Sequence, residues 1–192
     1  MSASEIIENH WSEIHSYIVD KAESYLTTFE NDGLNISAKM QSEFISQICE
    51  SAFEIVLKNA QVDVLSPKKD NEPDCYVLGE AVELKTTKGE TWRGGEFSKR
   101  PGLYILLSWS KNRDNKISLF AAMQKMEESD WISSMSKAVK NGKKATYYGT
   151  SYSKANLVKQ NKYTVLSGDI SVKTMNKDGT KKATPIIKLI KE

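Results

Sequence analysis

The stretch Pro73-Asp74-Cys75-Tyr76-Val77-Leu78-Gly79-Glu80-Ala81-Val82-Glu83-Leu84-Lys85 sets an aspartate, a glutamate and a lysine close together along the chain. Two carboxylates can hold a hard divalent cation through oxygen. A lysine beside that cation can steer a water, or deprotonate it when its amine is neutral. These are the parts of a metal-assisted phosphodiester hydrolase. A hairpin would assemble them. Tyr76-Val77-Leu78 reads as a short strand and Gly79-Glu80 as a two-residue turn, since glycine tolerates positive φ. Residues 81–86 read as the returning strand. Side chains alternate along a strand, so Glu83 and Lys85 share one face while Val82 and Leu84 enter the core from the other. Asp74, at the start of the first strand, lies across from the end of the second. The same residues admit a plainer reading, a solvated hairpin with an incidental Glu83–Lys85 ion pair.

Helices must lie upstream. Residues 4–29 place Ile7, Trp11, Ile14, Ile18, Tyr25, Leu26 and Phe29 at helical spacing, and Asn31-Asp32-Gly33 stops that helix. His10 and His15 are five apart and do not share a face as a metal pair would. A second helix is expected from about Ser37 to Ala60, with Phe44, Ile45, Ile48, Cys49, Ala52, Phe53, Val56 and Leu57 inward. Glu50 and Glu54 stand one turn apart on it. Either is a candidate for the same site, and either can be a solvated helix charge. Downstream, Leu103–Trp109 is the most apolar run and predicts a central strand, with 117–123 returning beside it. A short helix is expected over 127–138. Residues 163–166 and 170–173 predict further strand pieces, with a hairpin tip at Asn176-Lys177-Asp178-Gly179 before the apolar run 186–190.

The net charge of +2 conceals a division. Residues 1–83 carry 5 Lys and Arg against 16 Asp and Glu, a charge of −11; residues 84–192 carry 22 against 9, or +13. The changeover falls inside the second hairpin strand. A basic half of this kind suits a polyanion, although a lysine-rich solvated surface also keeps a protein soluble. Residues 88–102 mix glycines, cations and aromatics and read as a loop that approaches a ligand backbone, with Trp92, Arg93, Ser98, Lys99 and Arg100 as contacts. The alternative is a connection whose Trp92 fills a hole in the core. Residues 146–156 are dense in hydrogen-bonding side chains. Tyr148, Ser151, Ser153, Lys154 and Asn156 can reach base edges or phosphates, or can form an ordinary polar loop.

The Pro-Asp of Pro73-Asp74 and the Glu-x-Lys of Glu83-Leu84-Lys85, followed by Thr86-Thr87, resemble the PD-(D/E)xK nuclease superfamily, and within it a type II restriction endonuclease. The resemblance spans roughly residues 45–110. It implies an α/β fold with a central mixed β-sheet flanked by helices, the restriction-endonuclease-like core. It implies that Asp74 and Glu83 bind Mg²⁺, with the Leu84 backbone carbonyl in the shell, and that Lys85 assists the attacking water. A helical glutamate often joins such a site, and Glu50 fits that pattern better than its rival Glu54. The resemblance also implies a homodimer on double-stranded DNA at a palindromic site, products with 5′-phosphates, and a home in a prokaryotic cytoplasm. Two enzyme or binding alternatives remain at this point: a structure-selective or repair nuclease with the same hairpin, and a DNA-binding module without catalysis.

At 192 residues one domain over 1–192 is expected: N-terminal helices within 4–60, a catalytic core of about 45–123, and a basic DNA-facing part over 84–192. No run approaches a membrane span, and the first residues lack a secretion signal. Two cysteines in apolar surroundings point to reduced core thiols and a cytosolic setting. The chain has no phosphate-binding GxxxxGK[ST] loop and no GxGxxG, which argues against a nucleotide cofactor. It has no CxxC and no HExxH, which argues against zinc.

Overall fold

The computed structural model describes residues 1–67, 72–94, 100–140, 143–169, 171–175 and 181–185, with the backbone alone over 134–140, 143–148, 171–175 and 181–185. Three helices come first: α1 (Ala3–Asn9), α2 (Trp11–Asn31) and α3 (Ala38–Asn59). The single helix expected over 4–29 is therefore two, parted at His10, whose φ of −102° and ψ of 9° leave the helical region. Ser2 and Glu5 close a capping box on α1, and the Ser37 hydroxyl accepts from Met40 N–H to start α3. Gly33, at φ +69°, turns the chain after α2.

The strands are β1 (Val64–Leu65), β2 (Cys75–Val77), β3 (Glu80–Thr87), β4 (Thr91–Gly94), β5 (Gly102–Lys111), β6 (Ile117–Met126), β7 (Ile132–Lys140), β8 (Lys143–Ser153), β9 (Thr164–Ser167), β10 (Ser171–Met175) and β11 (Lys181–Pro185). Helix α4 (Lys154–Gln160) follows β8. Six strands form one mixed sheet in the order β1-β2-β3-β5-β6-β9. Only β3 and β5 run parallel in it; its other neighbours are antiparallel. The protein is thus α/β, with a central mixed sheet flanked by helices. A second sheet, β4-β8-β7, and a β10-β11 pair complete the described strands.

Alternation along β5 divides the interior in two. Leu103, Ile105, Leu107 and Trp109 join one buried cluster with α1, α2 and α3, including Ile14, Ile18, Phe53 and Leu57. Tyr104 and Leu106 face the other way, into a cluster with Trp92, Phe120, Trp131, Tyr152 and Leu157. The central sheet is therefore covered by helices on one face and by β4, β8 and α4 on the other. Buried on both faces, β5 needs the near-continuous apolar run that the sequence carries. Glu23 on α2 accepts from Lys116 Nζ and from Ile117 N–H, both at 2.8 Å, which pins the helical layer to the β5–β6 turn.

Four expectations are corrected. The hairpin turn is Leu78-Gly79, with φ of 51° and 78°, and Val77 pairs with Glu80. Positive φ at both central residues is the twist-matched two-residue turn, and here a leucine accepts it. The helix expected over 127–138 is a single 3₁₀ turn at Glu128–Asp130 followed by β7, because the segment finds a long partner in β8. Residues 91–94 are strand β4 rather than loop, and 146–153 belong to β8. The tip expected at 176–179 and the apolar run 186–190 lie outside the described residues. No helix among the described residues is long and apolar enough to cross a membrane.

Candidate functional site

Strand β2 is short, and that shortness makes the site. Its ladder with β3 closes at Cys75 opposite Val82. Asp74 stands one position further, level with Glu83. Beyond Val82, β3 continues past the end of β2 while still paired to β5 on its other side, Glu83 level with Tyr104 and Lys85 level with Leu106. Where the missing strand would have bonded Leu84 N–H, the Asp74 carboxylate does so instead, Oδ2 accepting at 2.7 Å. A strand residue's N–H and C=O point to the same side, so the Leu84 carbonyl also lies on this uncovered side.

Glu83 and Lys85 project from one face, as alternation requires, with Val82 and Leu84 buried behind them. Lys85 Nζ donates to Glu83 Oε2 at 2.8 Å and stands 3.5 Å from Asp74 Oδ2. The structure therefore brings Asp74, Glu83 and Lys85 to one point. Burial pushes the Glu83 carboxyl above its usual range; Lys85 pulls it back, while Asp74 adds to the rise. Burial works to lower the Lys85 pKa, but the Asp74 and Glu83 carboxylates outweigh it and hold the ammonium above its usual value.

Glu50 reaches the same field from α3. As a residue it is exposed, yet crowding of its carboxyl raises its pKa, the Asp74 charge raises it further, and Lys85 and a Ser46 hydrogen bond pull it down. Glu54 is tied one turn along the helix to Lys58 Nζ at 2.8 Å. Cys75 records the gathering of all four acids. Its thiol is pushed up to about 12, first by burial and then by Asp74, Glu83, Glu50 and Glu54. Cys49 and Cys75 are both free and buried.

Arg100 joins the rim. Its Nη1 lies 4.0 Å from Glu83 Oε1, and its backbone carbonyl accepts from the Tyr104 hydroxyl at 2.9 Å. Burial first, and then Glu83, raise the Tyr104 pKa. Sequence reasoning passed over Tyr104 because it sits within an apolar run. Only the parallel register of β3 on β5 sets it level with Glu83, and that register leaves no local signal.

The other candidates scatter. Trp92 is a correction: it is fully buried, stacks on Tyr152 and donates Nε1–H to the Leu107 carbonyl at 2.8 Å, so it serves the core and meets no surface ligand. Arg93, its neighbour on β4, is exposed and level with Ser151 on β8. The Ser153 hydroxyl caps α4 by accepting from Asn156 N–H at 3.1 Å. Lys154 lies 4.0 Å from Glu90 with little of its side chain exposed. Tyr148 is a β8 position whose backbone alone is described, and Ser98 and Lys99 lie outside the described residues.

Chemically, the gathering is an all-oxygen donor set beside an ammonium. Among the described residues no group of three or more His, Cys, Asp or Glu is arranged to hold a metal ion. Two carboxylates with a backbone carbonyl nonetheless match the habit of Mg²⁺, which takes one or two carboxylates and completes its shell with water and phosphate. No family model matches the chain, and no curated protein matches it.

Proposed function

We propose that this protein is a Mg²⁺-dependent endonuclease of double-stranded DNA, and more narrowly a type II restriction enzyme that acts as a homodimer and leaves 5′-phosphates. The observation that carries the chemical part is the meeting of Asp74, Glu83 and Lys85 where β3 outruns β2. The narrower assignment rests on the resemblance of Pro73-Asp74 and Glu83-Leu84-Lys85 to the PD-(D/E)xK pattern. Dimer, palindrome and prokaryotic origin come with that resemblance.

On this reading Asp74 and Glu83 hold Mg²⁺, with the Leu84 carbonyl available to it. When bound, the ion supplies charge neutralisation at a phosphoryl oxygen and a more acidic water. The chain's own groups do the rest. Asp74 fixes the strand end through Leu84 N–H, so the carboxylate is aimed before substrate arrives. Lys85 stands within reach of both acids, where an ammonium can orient a water and stabilise developing negative charge. Glu50 adds negative potential from α3. Arg100, at the rim, is available to a phosphate oxygen.

The test is digestion of a long DNA of known sequence with Mg²⁺, with and without chelator, followed by sequencing of the ends. Discrete 5′-phosphorylated ends that vanish with chelator are expected. Asp74→Ala and Lys85→Ala should each lower cleavage by at least about a hundredfold, while binding to DNA stays within a few-fold. Undiminished cutting by either variant removes the mechanism. Binding without any Mg²⁺-dependent cutting by the wild type reduces the protein to a DNA-binding module, and cutting only at branched or damaged DNA assigns a structure-selective nuclease.

A further inference from the structure

The position between the two acids of the site is taken by the chain itself. The Lys85 ammonium is 2.8 Å from Glu83 Oε2 and 3.5 Å from Asp74 Oδ2, on a side chain only 16% exposed. Asp74 Oδ2 also accepts the Leu84 N–H. Lys85 therefore neutralises two carboxylates that would otherwise repel each other in a sparsely solvated corner. A divalent cation held by the same pair competes for the same lone pairs and the same space.

We propose that Lys85 is the resident counter-ion of this site, and that a divalent cation enters by exchange with it. The ammonium gives up its hold on Glu83 Oε2 and Asp74 Oδ2 as the ion arrives. This rests on the reading that Asp74 and Glu83 hold the ion, but it concerns occupancy rather than cleavage. The exchange gives Lys85 two successive tasks. It first keeps the carboxylates together in the metal-free chain and is then released beside the ion. It also sets a cost on metal entry, so the native site binds the ion more weakly than its two carboxylates alone would.

The experiment needs no DNA. Mg²⁺ and Mn²⁺ are titrated calorimetrically into wild type and Lys85→Met, and both proteins are melted in chelator and in Mg²⁺. The variant should bind either ion more tightly, on the order of tenfold, since a unit charge has been removed a few ångström away in a partly dry site. It should also melt lower than wild type in chelator and recover more than wild type does when Mg²⁺ is added. Affinity that is unchanged or weaker, or a loss of stability that Mg²⁺ does not repair, overturns the proposal.

Should the variant fail to fold in chelator, the wild type decides alone. In lysine-labelled protein, Mg²⁺ should move the NMR signals of the Lys85 ε-methylene. Those of Lys58, held to Glu54 at an equal 2.8 Å, should stay in place. Stationary Lys85 signals at saturating Mg²⁺ overturn the exchange. The two readings also fail separately. Exchange without Mg²⁺-dependent cleavage removes the nuclease, whereas cleavage without exchange removes only the counter-ion.

Discussion

Asp74 does the work of an absent strand. It occupies Leu84 N–H, which β2 stops short of, and offers negative charge to Lys85 from the same carboxylate. Glu50 enters the same field from α3, and its raised pKa has a consequence for stability. A carboxyl whose folded-state pKa is raised binds its proton more tightly in the folded chain than in the unfolded one. Its favourable contribution is present below the ordinary carboxylate pKa and is lost as pH rises through the raised value. At neutral pH the Glu50 charge is therefore a burden on the fold. Glu50→Gln should raise the melting temperature of the protein in chelator at pH 7 and change it little near pH 4. An equal shift at both pH values would assign the effect to packing of α3 instead. Glu83 differs, although its pKa is also raised, because Glu83→Gln would remove the negative charge that Lys85 meets at 2.8 Å.

At the scale of elements, the sequence carried the alternation of β3 better than the turn that leads into it. Val82 and Leu84 inward with Glu83 and Lys85 opposite is a period-two pattern, which depends on no neighbour. The turn lies one residue earlier than Gly79-Glu80, because glycine marks positive φ but does not say which side its companion lies on. The companion is Leu78, at φ 51° with its side chain exposed. Leucine strains in that region, and asparagine before glycine is the sequence such a turn prefers. Leu78→Asn should stabilise the protein by about 1 kcal/mol in urea denaturation; a loss of stability would mean that the leucine side chain outweighs its backbone. Longer pairings were less legible. Residues 132–140 carry no strong alternation, and only β8 makes them a strand. Trp92 among glycines and cations fits either a ligand contact or a core filler, and the register of β4 on β8 decides for the core by setting it against Tyr152. The participation of Tyr104 and the difference between Glu50 and Glu54 depend on how layers stack, which no local pattern encodes.

Across the whole molecule, the acidic half of the chain gathers in one layer. The segment carrying −11 supplies α1, α2, α3, β1 and β2, and most of it lies in the helical layer. The segment carrying +13 supplies β5, β6 and β9 of the central sheet itself, as well as β4, β8 and α4 on its opposite face. A polyanion is repelled by that helical layer, so on the proposed function DNA approaches from the side of β4 and Arg100, toward the face on which Glu83 and Lys85 project. Phosphate contacts release counterions, so the logarithm of the association constant should fall linearly with that of salt. Each phosphate-bound cation contributes about one unit to the slope. Arg93 is exposed on β4, while Lys39 is 85% exposed on α3, beside Glu43. Arg93→Ala should weaken binding across DNA sequences and reduce the slope by about 1. Lys39→Ala, which removes an equal charge from the helical layer, should leave the slope as it was. Equal changes in the two variants would show that binding follows net charge alone, and the orientation argued from the layers would then fall.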